Sequence, residues 1–393
     1  MSFPENEVLT NFVARVFRID DMTIMDPQKG FIMRYRGGLL NEDSAEAYDQ
    51  LAESLSQYRI TPLFRMEGDA QVIYLAPKQP DPRSTKVSTN VILFVLTVFT
   101  VMMAGVEIPA ELCTDFGRSI LYMIVNIFKG WPFALSLLGI LLAHEFGHYL
   151  MSRYHKTPAT LPYFIPFPFS PLGTLGAAIL MRGTPKNKRI LFDIGVAGPL
   201  AGLIVAIPVL FYGLRTSTLE PIALTQCGIS LEGNSLLYLI AKYVTFGQLL
   251  PAPIAPQGIS YWIKFFFTGQ PIPIGGLDVF INPVAFAGWA GILVTALNLI
   301  PAGTLDGGHV VYGLFGDKAK EAFPYIIGLL VLMGFFWTGW WLWAALLFWL
   351  GRVNAQPLDQ ITTLDPGRRL LAFVALIIFV LVFMPVPFTA YGQ

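Results

Sequence analysis

The chain has 393 residues, 54% hydrophobic and 13% charged, with 31 Phe, 36 Gly and 29 Pro. That makeup is too apolar for a soluble globular surface and is expected of a polytopic membrane protein. The formal net charge is zero and no Lys/Arg run is present, so the basic face that nucleic-acid binding needs is missing. The only cysteines, Cys113 and Cys227, build neither a disulfide framework nor a thiolate metal site, and form at most one bridge.

Charge is unevenly spread: residues 1–86 hold 10 Lys/Arg and 13 Asp/Glu, the other 307 residues 16 and 13. A soluble head over 1–86 therefore precedes a membrane body over 87–393. Glu5 and Glu7 open the chain with no basic stretch before an apolar core, so no cleavable signal peptide is expected. Val8, Leu9, Phe12, Val13, Val16 and Phe17 recur at helical spacing and predict one amphipathic helix over 5–18. Phe31 to Tyr35 reads as a strand. Ser44 to Tyr58 reads as a second helix, opened by the capping cluster at 41–44. Ile60–Phe64 and Gln71–Leu75 read as two more strands, joined by a turn at Gly68. The head is thus a small α+β unit without a catalytic cluster, and the Pro-containing stretch 77–88 is its linker.

Spans of about 20 apolar residues are expected at 88–105, 131–151, 190–213, 279–301, 322–338, 339–351 and 368–385, the sixth short enough to form a tight hairpin with the fifth or to lie at the interface. With the head in the cytoplasm, segments 152–189, 302–321 and 352–369 also lie inside. They hold 11 of the body's 16 Lys/Arg, as the positive-inside rule requires. The fold class is mainly α: a polytopic bundle of about six to seven transmembrane helices behind the soluble α+β head. Residues 160–181 are apolar but contain Pro162, Pro166, Pro168 and Pro171, which preclude a regular helix. They read as a re-entrant loop or β-hairpin returning to the cytoplasmic side.

The chemistry concentrates in span 131–151. His144-Glu145-Phe146-Gly147-His148 places two imidazoles one turn apart on one helix face, a geometry that suits two Zn2+ ligands. Glu145 lies beside them, placed to take the proton of an attacking water. Three ionisable groups inside an apolar span each cost a few kcal/mol and are functional by default. A catalytic zinc site takes a third protein ligand. Asp306 is the acidic residue at the end of a hydrophobic span among glycines, in Leu305-Asp306-Gly307-Gly308-His309, where Pro301 and Gly303 break the helix. His309, three residues on, is the competing donor and otherwise has a supporting role. Asp193 reads as a polar group at the end of its span.

An intramembrane His-Glu-x-x-His, followed in a later span by Asn298-Leu299-Ile300-Pro301 and Leu305-Asp306-Gly307, resembles the site-2 protease family of intramembrane zinc metalloproteases. The likeness covers 88–385, including Gly198-Pro199-Leu200-Ala201-Gly202, and the soluble head resembles the plastid and bacterial branch without an inserted PDZ domain. Loop 214–276 shows no PDZ pattern. The resemblance implies a zinc metalloendopeptidase with His144, His148 and Asp306 on Zn2+, Glu145 as general base and acid, and Asn298 holding the substrate or the oxyanion. Its partners would be single-span or other membrane-protein substrates in a lipid bilayer, with no nucleic acid. The expected location is the bacterial plasma membrane first and a plastid membrane second. Such a substrate must unwind before attack, and Gly173, Thr174 and Gly176 could offer it a strand edge.

Two other readings compete. A polytopic transporter or metal-permeation protein would line several spans with polar residues and carry inverted repeats, yet the middles of 88–105, 322–338 and 368–385 hold no ionisable side chain. A silent membrane scaffold would be favoured by damaged metal residues, and all are intact.

Overall fold

In a computed structural model of the chain, the described residues are 5–25, 30–78, 86–223, 228–351 and 356–391. Residues 79–85 of the expected linker lie outside them, as does Cys227.

The head runs α1 (Asn6–Ala14), β1 (Phe17–Ile24), β2 (Met33–Leu39), α2 (Ser44–Ser56), β3 (Ile60–Glu67) and β4 (Ala70–Pro77). Its antiparallel sheet has the order β1-β2-β4-β3. Leu9 and Val13 of α1 and Tyr48, Leu51 and Leu55 of α2 bury against Met33, Tyr35, Phe64, Ile73 and Leu75 of the sheet, as their helical and alternating spacings require. Asp43 caps α2 by accepting the Ala45 amide, and Gly68 turns β3 into β4 at φ 62°. The first helix is shorter than expected, and strand β1 takes its last positions. Val16 and Phe17 continue the helical pattern in sequence, but β1 is an edge strand with most of its residues exposed, so it shows little alternation to read.

The body begins with α3 (Val87–Ala104), α4 (Phe116–Val125) and α5 (Trp131–Tyr154), the last preceded by the 3-10 turn Ile127–Gly130. The hairpin β5 (Tyr163–Pro166) and β6 (Thr174–Ala178) leads to α6 (Lys188–Arg215). Next come β7 (Thr218–Pro221), β8 (Ile229–Glu232), α7 (Leu236–Phe246), α8 (Ile259–Thr268) and β9 (Leu277–Phe280). The chain finishes with α9 (Pro283–Asn298), α10 (Asp306–Phe315), α11 (Lys318–Met333), α12 (Gly339–Leu350), α13 (Pro366–Val382) and β10 (Phe388–Tyr391). Among the described residues three helical stretches are long and apolar enough to cross a membrane: Val87–Ala104, Ile127–Tyr154 and Lys188–Arg215. The later expected spans appear as helices of 16 residues in α9 and α11, 12 in α12 and 17 in α13. They are short because turns take their ends: Asn282 caps α9, and Gly334 to Thr338 folds α12 back onto α11.

Helices α5, α6 and α9 form the centre of the body. The hairpin expected from the four prolines is present, and its tip runs deep beside α3, where Gly173 at φ 72° meets the Thr100 carbonyl and Val101 Cα at distances that a Cβ would not allow. At the end of the body away from the head, β7 pairs with β9 and β8 with β10, and Cys113 is disulfide-bonded.

Head and body meet along residues 357–365. The Phe64 amide of β3 donates to Leu358 O (2.9 Å) and the Gln360 amide to Phe64 O (3.0 Å), so this segment extends the free edge of the head's sheet. On its other side, Leu358 and Asp359 donate to the carbonyls of Pro185 and Lys186 at the entry to α6. Asp359 is fully buried and accepts the Ser44 hydroxyl at 2.7 Å, the Thr362 hydroxyl and the Ile361 amide.

Candidate metal centre

Helix α5 delivers His144, Glu145 and His148 to a buried face, at 3%, 5% and 7% exposure. The 3.6-residue repeat stacks the two imidazoles one turn apart. Their Nε2 atoms converge to 3.2 Å, and Asp306 Oδ2 approaches them at 3.4 and 3.3 Å. Among the described residues these three side chains form a group able to hold a metal ion. Tetrahedral zinc bonds of about 2.0–2.1 Å would separate neighbouring donors by about 3.3 Å, so the donor set fits Zn2+ in kind and in spacing. Two imidazole lone pairs and a carboxylate oxygen this close repel unless a cation or proton lies among them.

The sequence around each donor explains its aim. Pro301 and Gly303, the latter at φ 60°, end the apolar run after α9 and turn the chain back, and Asp306 then opens α10. His148 Nδ1 lies 2.7 Å from the Ile194 carbonyl of α6. That carbonyl can only accept, so the proton sits on Nδ1 and the Nε2 lone pair faces the other donors. Helix α6 can approach this closely because it turns glycine toward the rings: a Cβ on Gly198 would overlap the His148 imidazole, and one on Gly202 or Gly195 would press on His144 or His309.

A cavity of about 210 Å3 opens on the donor atoms. Glu145 and Asn298 share its wall with Thr304 and His309. Asn298 closes α9, and its Nδ2 lies 3.3 Å from His144 Nε2. The opposite wall is the end of the hairpin, Ala177 to Ile179 with Met181, and the Ile179 amide donates to the Glu145 carboxylate. Of the strand-edge residues named from the sequence, Gly173 and Thr174 lie toward the hairpin tip, with the Thr174 hydroxyl donating to Ile165 O at 2.8 Å. Gly176 sits between them and the cavity wall, at φ 98° with open space where a Cβ would lie. Asp193 stands outside the cavity, where Arg368 grips both of its oxygens at 2.7 Å and His155 Nε2 reaches it at 2.9 Å.

A model of peptidase family M50 matches residues 132–335, over half of the chain and the whole donor set. The chain belongs to this family. It is 31% identical over 314 residues to the probable zinc metalloprotease EGY1, chloroplastic, of Arabidopsis thaliana, covering 75% of this chain and 52% of that protein. It is 27% identical over 389 residues to the probable zinc metalloprotease EGY2, chloroplastic, of Oryza sativa, covering 95% and 65%. The chain thus spans between half and two thirds of the length of these relatives. Both are named as zinc metalloproteases, in agreement with the Zn2+ expected from the sequence, and neither name supports a transporter.

Proposed function

We propose that this chain is an intramembrane zinc metalloprotease that hydrolyses peptide bonds within or near the transmembrane segments of membrane proteins. The observation that carries the reading is the convergence of two imidazole nitrogens and one carboxylate oxygen within 3.4 Å of one another, inside an apolar bundle and beside a buried glutamate. In this reading His144, His148 and Asp306 hold the metal. Zinc, when bound, supplies a Lewis acid for the scissile carbonyl and lowers the pKa of the attacking water.

The chain's own groups do the rest. Glu145 takes the proton of the attacking water and delivers it to the leaving amine. Asn298, with its amide at the donor cluster, steadies the oxygen that gains charge. The cavity is too small for a helix, so a transmembrane substrate enters as an unwound strand. The backbone edge of β6, running from Gly173, Thr174 and Gly176 toward Ala177–Ile179, offers it main-chain pairing.

The bundle spans the membrane six to seven times, with 87–393 as the protease body and 1–86 as its head. The head lies on the cytoplasmic or stromal side. Two independent features favour this: the Lys/Arg bias toward segments flanking the head, and the disulfide at Cys113 near the far end of α3, which suits an oxidising compartment. The chloroplast location in the relatives' names favours a plastid membrane over the bacterial plasma membrane expected from the sequence. Purified chain in lipid vesicles, given a panel of single-span substrates, should cleave at least one of them, lose that activity to a chelator, and regain it with zinc. Cleavage that persists after the metal is stripped would end the reading.

A further inference from the structure

His309 is the competing donor of the sequence reading, and the structure leaves it outside the metal-binding group. It lies three residues after Asp306 on α10, so both side chains leave the same face of the helix. It lines the catalytic cavity, but its Nε2 is shielded from solvent and has no hydrogen-bond partner. Among the buried unpartnered side-chain atoms of the described residues, it is the one that belongs to this cavity. A buried nitrogen left without a partner costs about 1–3 kcal/mol, and such an atom calls for a specific explanation.

The ring is held in place from behind. Gly195 of α6 faces it so closely that a Cβ there would lie 2.7 Å from His309 Cβ and 3.2 Å from Nδ1. Nδ1 therefore faces α6, and Nε2 is the end left free to meet something in the cavity. An imidazole protonated at Nε2 is a neutral hydrogen-bond donor. The group that needs a donor during peptide hydrolysis is the scissile carbonyl oxygen, which carries a full negative charge in the tetrahedral intermediate.

Building on the metalloprotease reading above, we propose that His309 is a catalytic residue that donates an Nε2 hydrogen bond to the scissile oxygen, from α10, opposite the Asn298 amide on α9. As the water oxygen bonds to the carbonyl carbon, the π pair moves onto the carbonyl oxygen and the water proton passes to Glu145. Collapse of the intermediate breaks the C–N bond, and Glu145 returns the proton to the amine. His309 keeps its proton throughout and strengthens its hydrogen bond as charge builds up. It acts on the transition state more than on the bound substrate, so its removal should lower kcat and leave KM in place.

The test uses the full chain in lipid with His309→Ala, His309→Phe and His309→Gln. Four readouts apply: zinc content, kcat and KM on a cleaved single-span substrate, affinity for a phosphinic-peptide transition-state mimic, and affinity of the Glu145→Gln background for the same substrate. Expected for Ala and Phe are unchanged zinc, KM within about twofold, kcat down about 100–1,000-fold, as for loss of one oxyanion donor, and a parallel loss for the mimic. Ground-state substrate affinity should hold. Gln, which restores an N–H of similar reach, should recover part of kcat. The proposal falls if zinc is lost in all three variants, if kcat and mimic affinity do not move, or if Gln behaves no better than Phe. A wild-type chain that binds zinc but cleaves nothing would instead fault the protease reading itself.

Discussion

The imidazole of His148 fills the space that a Cβ on Gly198 would need, although the two residues lie on different helices. The contact is one of three: Gly195, Gly198 and Gly202 stand at i, i+3 and i+7 on α6 and meet His309, His148 and His144 respectively. One helix face without side chains thus seats the three rings of the site. Close packing leaves no room to shift them, so this face fixes where the nitrogens point.

Gly198→Ala should therefore cost zinc, because the added methyl must displace the His148 ring. Bound metal should fall well below one per chain, and cleavage by about 100-fold, the scale on which supporting contacts of a metal ligand act. Gly139 on α5 is the control, since a Cβ there meets open space. Gly139→Ala should leave both readouts intact and stabilise the helix by up to about 1 kcal/mol. Full zinc occupancy in Gly198→Ala would show that the glycine face does not hold the ligand.

Glu145→Gln should keep zinc and stop cleavage, because an amide cannot take the proton of the attacking water. The residual rate should be at most about 1% of wild type, given the 100–10,000-fold usual for a positioned general base. Asp306→Asn should do the reverse in order of events. It removes the carboxylate charge next to two imidazoles, so zinc affinity falls first and activity with it. Zinc content beside turnover separates the two variants, and Asp306→Asn with full metal would remove Asp306 from the ligand set.

The parts of the site legible in the sequence are those whose chemistry is written in neighbouring residues. His144, Glu145 and His148 stand out because three ionisable groups within one apolar turn have no cheap structural use. Asp306 stands out because Pro301 and Gly303 break its helix just before it. The prolines of 160–181 announce a non-helical segment, but not that its wall at the cavity is Ala177 to Ile179, since these small apolar residues carry no signal of their own. The roles of Gly195, Gly198 and Gly202 stayed hidden because a glycine in an apolar helix names no neighbour, and Asp193 could be read as polar without revealing Arg368, 175 residues away. Strand β1 was lost to the helix before it because Val16 and Phe17 fit both periods.

The layer opposite the head should respond to pH. The half-buried carboxyl of Glu232 on β8 accepts the Tyr238 hydroxyl at 2.7 Å, and burial, followed by the nearby Asp278 carboxylate, raises its pKa from 4.5 to about 7. Lys242, 3.6 Å from Asp278, offsets part of that. Between those two values the folded layer keeps a proton that the unfolded chain has released, so its stability is greatest at acid pH and declines as pH rises through the window. The effect should reach up to about 3 kcal/mol. Hydrogen exchange in β8 and β10 should accordingly slow as pH drops from 8 to 5, after correction for the intrinsic pH dependence of exchange. Glu232→Gln should flatten the response, and an unchanged slope in that variant would assign the pH dependence to another group.

Asp359 should decide whether the head stays on the body. Its carboxylate is fully buried and accepts from Ser44 of the head and from Thr362 and Ile361 of the connecting segment, while its amide reaches Lys186 O at 2.7 Å. Asp359→Ala leaves those donors without an acceptor, at about 1–3 kcal/mol for each one that water cannot reach. The Phe64 and Gln360 amides, which join the head's sheet to this segment, should then exchange many times faster. The amides of α5 and α6 should hold, because their packing does not involve the seam. The ion pair of Asp49 with Lys186 crosses the same junction at 2.8 Å with both side chains more than half exposed. Such a pair contributes about 0–1 kcal/mol, so Asp49→Asn should change exchange little. Equal effects from the two substitutions would mean that the junction is held by surface charge and that the buried carboxylate is not its anchor.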